Sequence, residues 1–178
     1  MGADAPGEVA RLFDAATIAR RVEELAAMIL PRLGPDFTLV GLLKGSFVFV
    51  ADLVRALDRA GAAPRIEFLQ VSSYGFGKES SGAVKVIGGL PGTILGRRVL
   101  LVDDIQDTGR TLAFTRRMLE EHGAAEVLSC VLLDKPSRRV VDFEPDLVGF
   151  VIPDVFVVGY GIDYAERYRH LPFIGKVG

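Results

Sequence analysis

Val99-Leu100-Leu101-Val102-Asp103-Asp104-Ile105-Gln106-Asp107-Thr108-Gly109-Arg110-Thr111 is the densest stretch of the chain. With Arg98 before it, its opening reads as a strand over 98–102, apolar without a break from Val99 to Val102, the pattern of a strand buried on both faces of a parallel sheet. Two adjacent carboxylates, Asp103 and Asp104, follow at the strand's C-terminal end. A turn of Asp, Thr, Gly, Arg and Thr then opens a helix. In open α/β sheets, ligands lodge at such strand ends. Free backbone N–H groups at the helix start, with the Thr108 and Thr111 hydroxyls, form a cradle for phosphate. Gly109 permits the tight backbone path. Two acids beside a phosphate repel it unless a cation or sugar hydroxyls intervene, and carboxylates bind both ribose hydroxyls and Mg2+. The plainer alternative is a solvated acidic turn that caps a helix. Gln106, between the acids, is expected to face solvent.

Upstream, residues 14–30 predict a helix, with Ile18, Val22, Leu25 and Ile29 at helical spacing, Asp14 as its cap and Pro31 as its stop. The dozen residues before it are expected as a loose arm. Residues 37–43 form an apolar run suited to a buried strand. Lys44-Gly45-Ser46 leads into a helix over 47–60, with Phe47, Val50, Val54 and Leu57 on one face and Gly61 closing it. Residues 66–72 are strand-like. Residues 74–82 are rich in Gly and Ser and predict an exposed loop. A short strand over 84–87 and a turn-rich stretch over 88–96 lead back to the central run. Downstream come a helix over 111–122, with Leu112, Thr115, Met118 and Leu119 inward, and a strand over 126–133. Stretches 148–152 and 155–158 finish the β material. Strands that alternate with helices and lack period-2 polarity predict an α/β fold with a doubly wound parallel sheet. No repeat and no long linker divides it, so residues 1–178 are expected as one domain.

Composition bounds the function. The chain has 178 residues, 49% of them hydrophobic, which is enough apolar material for a core and excludes wholesale disorder. Lys+Arg total 21 against Asp+Glu 23, so the chain lacks the positive field that non-specific nucleic-acid binding needs. The single cysteine, Cys130, excludes an internal disulfide framework and a multi-thiolate zinc site, and sits in an apolar run as a buried strand residue. The start lacks an apolar signal core, Pro6 breaks the myristoylation pattern, and no stretch reaches the ~18 apolar residues of a membrane span. A cytoplasmic location without membrane contact is expected. His122 is expected to cap a helix end, and His170 to lie on the surface.

The stretch from Asp103 to Thr111 resembles the ribose-5-phosphate motif of type I phosphoribosyltransferases. Leu43-Lys44-Gly45, Val71-Ser72-Ser73-Tyr74-Gly75, Leu133-Asp134-Lys135-Pro136 and the run from Val155 to Tyr164 resemble the hypoxanthine (hypoxanthine-guanine) branch of that family, bacterial type. The resemblance covers roughly residues 14–175. It implies transfer of a 5-phosphoribosyl group from phosphoribosyl pyrophosphate to hypoxanthine or guanine, giving IMP or GMP and pyrophosphate. It also implies a small hood built from the N-terminal segment and about residues 134–178, a lid near 73–83, and a homodimer or homotetramer.

The resemblance further implies residue roles. Asp103 and Asp104 hold the ribose hydroxyls and Mg2+, while Asp107, Thr108, Gly109, Arg110 and Thr111 bind the 5′-phosphate. Asp107 is also the general base at purine N7, with a helix N-cap as its alternative role. Lys44, Gly45, Ser73, Tyr74 and Arg169 bind pyrophosphate, and a non-proline cis peptide is implied at Leu43–Lys44. Lys135 donates to the purine O6, Phe156 stacks on the base, and Val157 and Asp163 meet its other edge. Asp163 is a second Mg2+ ligand. Turn lysine, surface arginine, core phenylalanine and turn acid are the plainer roles of Lys44, Arg169, Phe156 and Asp163. Residues 75–79 and 88–96, and His170 in place of the family's usual Asn, depart from the pattern and are expected to alter local packing rather than chemistry. An RNA-binding regulator on the same fold, a phosphoacceptor receiver domain and a non-catalytic nucleotide-binding module are the competing readings. Asp107 and Lys135 speak against the first. The late position of the acid pair speaks against the second, and the full set of base, lid and pyrophosphate residues against the third.

Overall fold

A computed structural model describes residues 8–73 and 84–178. Its chain order is β1 (Val9–Phe13), α1 (Ala15–Leu33), β2 (Thr38–Leu43), α2 (Phe47–Ala60), β3 (Arg65–Ser73), β4 (Val84–Ile87), β5 (Arg98–Gln106), α3 (Arg110–Glu121), β6 (Glu126–Asp134), β7 (Leu147–Val151), β8 (Val157–Val158) and β9 (Ile174–Val177). Six strands form the central sheet in the order β4-β3-β2-β5-β6-β7, parallel except for the antiparallel edge strand β4. This is the expected α/β fold.

The inner strands β2, β5 and β6 are largely apolar because both of their faces are covered. Leu39, Leu100, Val102, Leu128, Cys130 and Leu132 pack on one side with Ile18, Val22, Leu25 and Ile29 of α1 and Phe49, Val50, Leu53 and Leu57 of α2. Val40, Leu42, Leu69, Val99, Leu101, Val127 and Val131 pack on the other with Leu112 and Leu119 of α3. Burial pushes the Cys130 thiol up to about 12, so it stays an inert core group.

Sheet order fixes where the site lies. From β2 the chain moves outward to β3 through α2, and from β5 it moves the opposite way to β6 through α3. The two strands are neighbours, paired from Thr38↔Val99 to Gly41↔Val102. The order in which strands are added therefore reverses between them, and the C-terminal ends of β2 and β5 flank a topological switch point, the binding crevice of open α/β sheets.

Several expectations change. The N-terminal arm is not loose, because Val9–Phe13 pairs antiparallel with β9, from Val9↔Val177 to Phe13↔Ile174. With β8 these strands make a separate three-stranded sheet, so the β material does not finish at 158. The stretch expected as C-terminal hood divides, since β7 joins the central sheet while β8 and β9 join β1. Pro31 does not end α1. The helix continues to Leu33, where Gly34 N–H closes on the Leu30 carbonyl at 2.9 Å. Proline removes one N–H there, one turn from the end, and buried Leu33 anchors that last turn. Asp14 does cap the start, Oδ1 accepting from Thr17 N–H at 2.7 Å. In α2 the buried stripe runs Phe49, Val50, Leu53, Ala56 and Leu57. Phe47 lies off that stripe in the first turn and is exposed. His122 accepts the expected place, its ring Nδ1 lying 2.8 Å from the Met118 carbonyl at the end of α3, and His170 is exposed.

Candidate active site

Strand β5 runs past its expected end at 102 and carries Asp103 and Asp104 inside its last turn of pairing. Asp103 Oδ1 accepts from Asp104 N–H at 2.9 Å. Burial and the neighbouring charge on Asp104 raise the Asp103 carboxyl well above the usual range. Burial raises Asp104 as well, against the opposing effects of hydrogen bonds and the Arg169 cation. A carboxyl whose proton affinity rises on folding contributes stability below its unfolded pKa and loses that contribution as pH climbs through the folded value. Asp103→Asn is therefore expected to melt several degrees above the ligand-free wild type at pH 8, with the gap closing toward pH 4. Thermal melts across that range check it, and a gap that does not depend on pH contradicts a carboxyl raised by burial and by the Asp104 charge.

Gly45 follows β2 and lies directly against this pair. A Cβ placed there would overlap Asp104 Oδ2 and lie 2.7 Å from Asp104 Cγ. One built on Gly161 would come within 2.6 Å of the Gly45 carbonyl. The backbone of the 44–45 turn thus packs bare against the Asp104 carboxylate on one side and the 159–161 turn on the other. The Leu43–Lys44 peptide is cis. Lys44 Nζ lies 3.4 Å from Glu166 Oε2, on the surface. Arg169 is held on three sides: Nη1 donates to the Gly161 carbonyl at 2.8 Å, and Nη2 approaches Asp163 Oδ1 at 3.1 Å and Glu166 Oε1 at 3.5 Å. It is not a free surface arginine. Asp163 Oδ2 also accepts from Glu166 N–H at 2.9 Å.

Residues 107–111 form the turn into α3. Gly109 adopts φ +84°, the left-handed conformation that glycine takes without strain. Asp103, Ile105, Asp107, Thr108, Gly109 and Thr111 line a cavity of about 80 Å³ at the helix start. Its lining of backbone N–H groups and hydroxyls suits a small anion. Asp107 does not cap the helix; Gly109 occupies that position. The Asp107 carboxylate instead accepts from Arg138 Nε at 3.1 Å. Gln106 is buried, not solvent-facing. Its Nε2 donates to the Phe143 carbonyl at 3.0 Å, so it ties the turn to a distant loop.

The parallel pairing of β5 with β6 ends at Gln106↔Asp134. That register sets Lys135 beside Asp107, and Lys135 N–H donates to the Gln106 carbonyl at 2.9 Å. The Lys135 ammonium is nearly buried, with Asp154 Oδ1 3.9 Å away. A buried ammonium so thinly paired is a strong donor for an incoming carbonyl oxygen. Phe156 is 53% exposed and meets Tyr164 edge-on at 5.2 Å, leaving ring surface open rather than forming core. Val157 begins β8, buried opposite Lys176. Ser73 ends β3 opposite Val84. Tyr74 and the expected lid lie outside the described residues.

Sequence reading gave no role to Arg138, Arg139 or Asp154, and quoted Asp134 only as part of the motif around Lys135. Arg138 touches Asp107 and also approaches Asp154 Oδ2 at 3.8 Å, closing a chain of charges from Asp107 to Lys135. Two consecutive arginines just after Lys135-Pro136-Ser137 were the available signal. Among the described residues, no three metal-ligating side chains cluster, and no helix is long and apolar enough to cross a membrane.

A family model described as "Phosphoribosyl transferase domain" matches residues 8–165. The chain is 48% identical over 165 residues to the hypoxanthine phosphoribosyltransferase of Escherichia coli, covering 91% of each protein. It is 50% identical over 162 residues to the hypoxanthine-guanine phosphoribosyltransferase of Aquifex aeolicus, covering 90% of this chain and 89% of that one. A crystal structure of a hypoxanthine-guanine phosphoribosyltransferase from Bacillus anthracis superposes with a TM-score of 0.89 at 42% identity, over 96% of this chain and 100% of the other.

Proposed function

The chain belongs to the phosphoribosyl transferase family, and from that premise we infer the residue-level mechanism by which it acts as a hypoxanthine(-guanine) phosphoribosyltransferase. Like its relatives it is an enzyme of purine salvage. It transfers the 5-phosphoribosyl group of phosphoribosyl pyrophosphate to hypoxanthine or guanine, forming IMP or GMP and pyrophosphate. One observation carries the assignment of residues. The ends of β2, β5 and β6 converge so that Gly45 abuts Asp104 while Asp107 and Lys135 stand side by side.

The bond from the anomeric carbon to pyrophosphate breaks as the purine nitrogen attacks, through a state with positive charge on the ribose ring. Residues 107–111 grip the 5′-phosphate and fix the sugar. Asp103 and Asp104 accept hydrogen bonds from the ribose hydroxyls and stabilise the developing cation beneath it. Lys44, the Gly45 backbone and Arg169 receive pyrophosphate. Ser73, Tyr74 and the 73–83 segment cover it and exclude water from the ribosyl cation. Phe156 stacks on the base, Val157 and Asp163 meet its 2-position edge, and Lys135 donates to O6. Asp107 takes the proton at N7.

Mg2+ fits this donor set. Two carboxylates with raised proton affinity favour a cation, and Mg2+ uses one or two carboxylates plus substrate oxygens rather than an all-protein cage. Asp103 and Asp104 would hold it at the ribose and Asp163 on the pyrophosphate side, where it would neutralise charge on the departing pyrophosphate. We place the whole of 1–178 in one domain, in the cytoplasm, as a homodimer or homotetramer without nucleic-acid or membrane partners.

Steady-state rates with hypoxanthine, guanine, xanthine and adenine, with and without Mg2+, test the reading. Turnover confined to 6-oxopurines and dependent on Mg2+ is expected, and turnover of adenine alone would refute it. Lys135→Met adds a sharper check. Loss of a charged donor should reduce the preference for hypoxanthine over adenine roughly tenfold. An unchanged preference removes Lys135 from purine selection.

A further inference from the structure

We propose that Arg139 is a positioning residue that locks the turn carrying Asp107 to the strand end carrying Lys135. The proposal rests on the reading that those two residues meet the same purine. Arg139 is largely buried, its side chain 11% exposed, and so is Asp134 at 5%. Its guanidinium forks. Nη2 donates to Asp134 Oδ1 at 2.6 Å, at the end of β6 next to Lys135, and Nη1 donates to the Asp107 carbonyl at 2.8 Å. The segment that follows reinforces the same turn. Val140 and Val141 N–H groups both donate to the Thr108 carbonyl, at 3.0 and 3.3 Å, and the Phe143 carbonyl accepts from Gln106. A Cβ on Gly109 would lie 2.9 Å from Arg139 Cδ, so the arginine stem packs on bare backbone.

The chemistry explains why such a brace matters. A 6-oxopurine presents O6 and N7 on one rigid edge. Lys135 and Asp107 must meet that edge together, so their separation is dictated by the base. They follow the ends of different strands, β5 and β6, and Arg139 bonds to the segments of both. A planar guanidinium holds two acceptors at a fixed spacing, which a single ammonium does not.

Arg139→Lys keeps a cation for Asp134 and gives up the fork. Its turnover with hypoxanthine should fall roughly 10- to 100-fold, the scale of a small misplacement of reacting groups. The deciding readout is calorimetric affinity for IMP against AMP. Both nucleotides share the ribose 5′-phosphate, so a generally loosened phosphate turn weakens them alike. Loss of purine positioning should instead shrink the IMP-to-AMP affinity ratio by about tenfold. Asp134→Asn, which frees the anchor but keeps the Asp107 bond, should move the ratio in the same direction by less. Wild-type ratios in either folded variant, or an equal loss for both nucleotides, overturn the proposal. Unfolding of both variants also overturns it, by making Arg139 a folding residue. Failure of the wild type to use hypoxanthine would refute the assigned function itself, a distinct outcome.

Discussion

Asp107→Asn is expected to lower turnover by about 10²-fold or more, the usual scale for loss of a positioned general base, while leaving both substrate KM values within a few-fold of wild type. The substitution keeps size and shape. The amide oxygen still accepts from Arg138 Nε, the contact that orients the carboxylate at 3.1 Å. The backbone carbonyl of residue 107 still accepts from Arg139, and Gly109, not Asp107, stands at the helix cap. Neither the turn nor α3 depends on the charge, so stability should change little. On the proposed mechanism, what disappears is the ability to take a proton from the purine. Steady-state kinetics with calorimetric IMP binding separates the two effects. Turnover near wild type removes Asp107 as base, and a large rise in KM with unchanged turnover makes it a binding group instead.

Asp107 also shows which features were legible in the sequence. Its motif stands out because an apolar run, two acids, a glycine and hydroxyls lie within thirteen residues, so local pattern suffices. The bounds of α2 were equally local, set by the run from Phe47 to Ala60 and the closing Gly61. β1 was not legible. Val9–Phe13 has weak patterning and becomes a strand only by pairing with residues some 165 positions away. Gln106 looked solvent-facing because its neighbours are acids, and its burial comes from the Phe143 carbonyl on another loop. Arg139, beside exposed Arg138, has nothing local to mark it as a buried brace. The nearness of Asp107 and Lys135 follows from the β5–β6 register, a tertiary fact that only the family resemblance supplied beforehand. Partners distant in the chain account for each of these misses.

Gly45→Ala is expected to cost about 10²-fold or more in kcat/KM for phosphoribosyl pyrophosphate, with little loss of stability. The added methyl would overlap Asp104 Oδ2 and come within 2.7 Å of its Cγ. The clash has two ways to relax. The backbone at 45 could retreat, but its carbonyl lies against Gly161, whose own missing Cβ marks how tightly the two turns meet. The Asp104 carboxylate can swing away more easily, being the end of a side chain that a raised proton affinity already disfavours in its buried place. That relief even removes like-charge repulsion from Asp103, so the folded protein survives. Function is expected to fail, because on the proposed reading the displaced carboxylate is one of two that hold the ribose hydroxyls, and the crowded turn is the one that receives pyrophosphate. Thermal melts and kinetics together decide the matter. A melting point near wild type with collapsed activity and weakened inhibition by pyrophosphate is the expected pair. Activity near wild type would mean that neither the turn nor Asp104 has to stay where the close contact puts them. In that case the convergence of β2 and β5 would not be the origin of the site's chemistry.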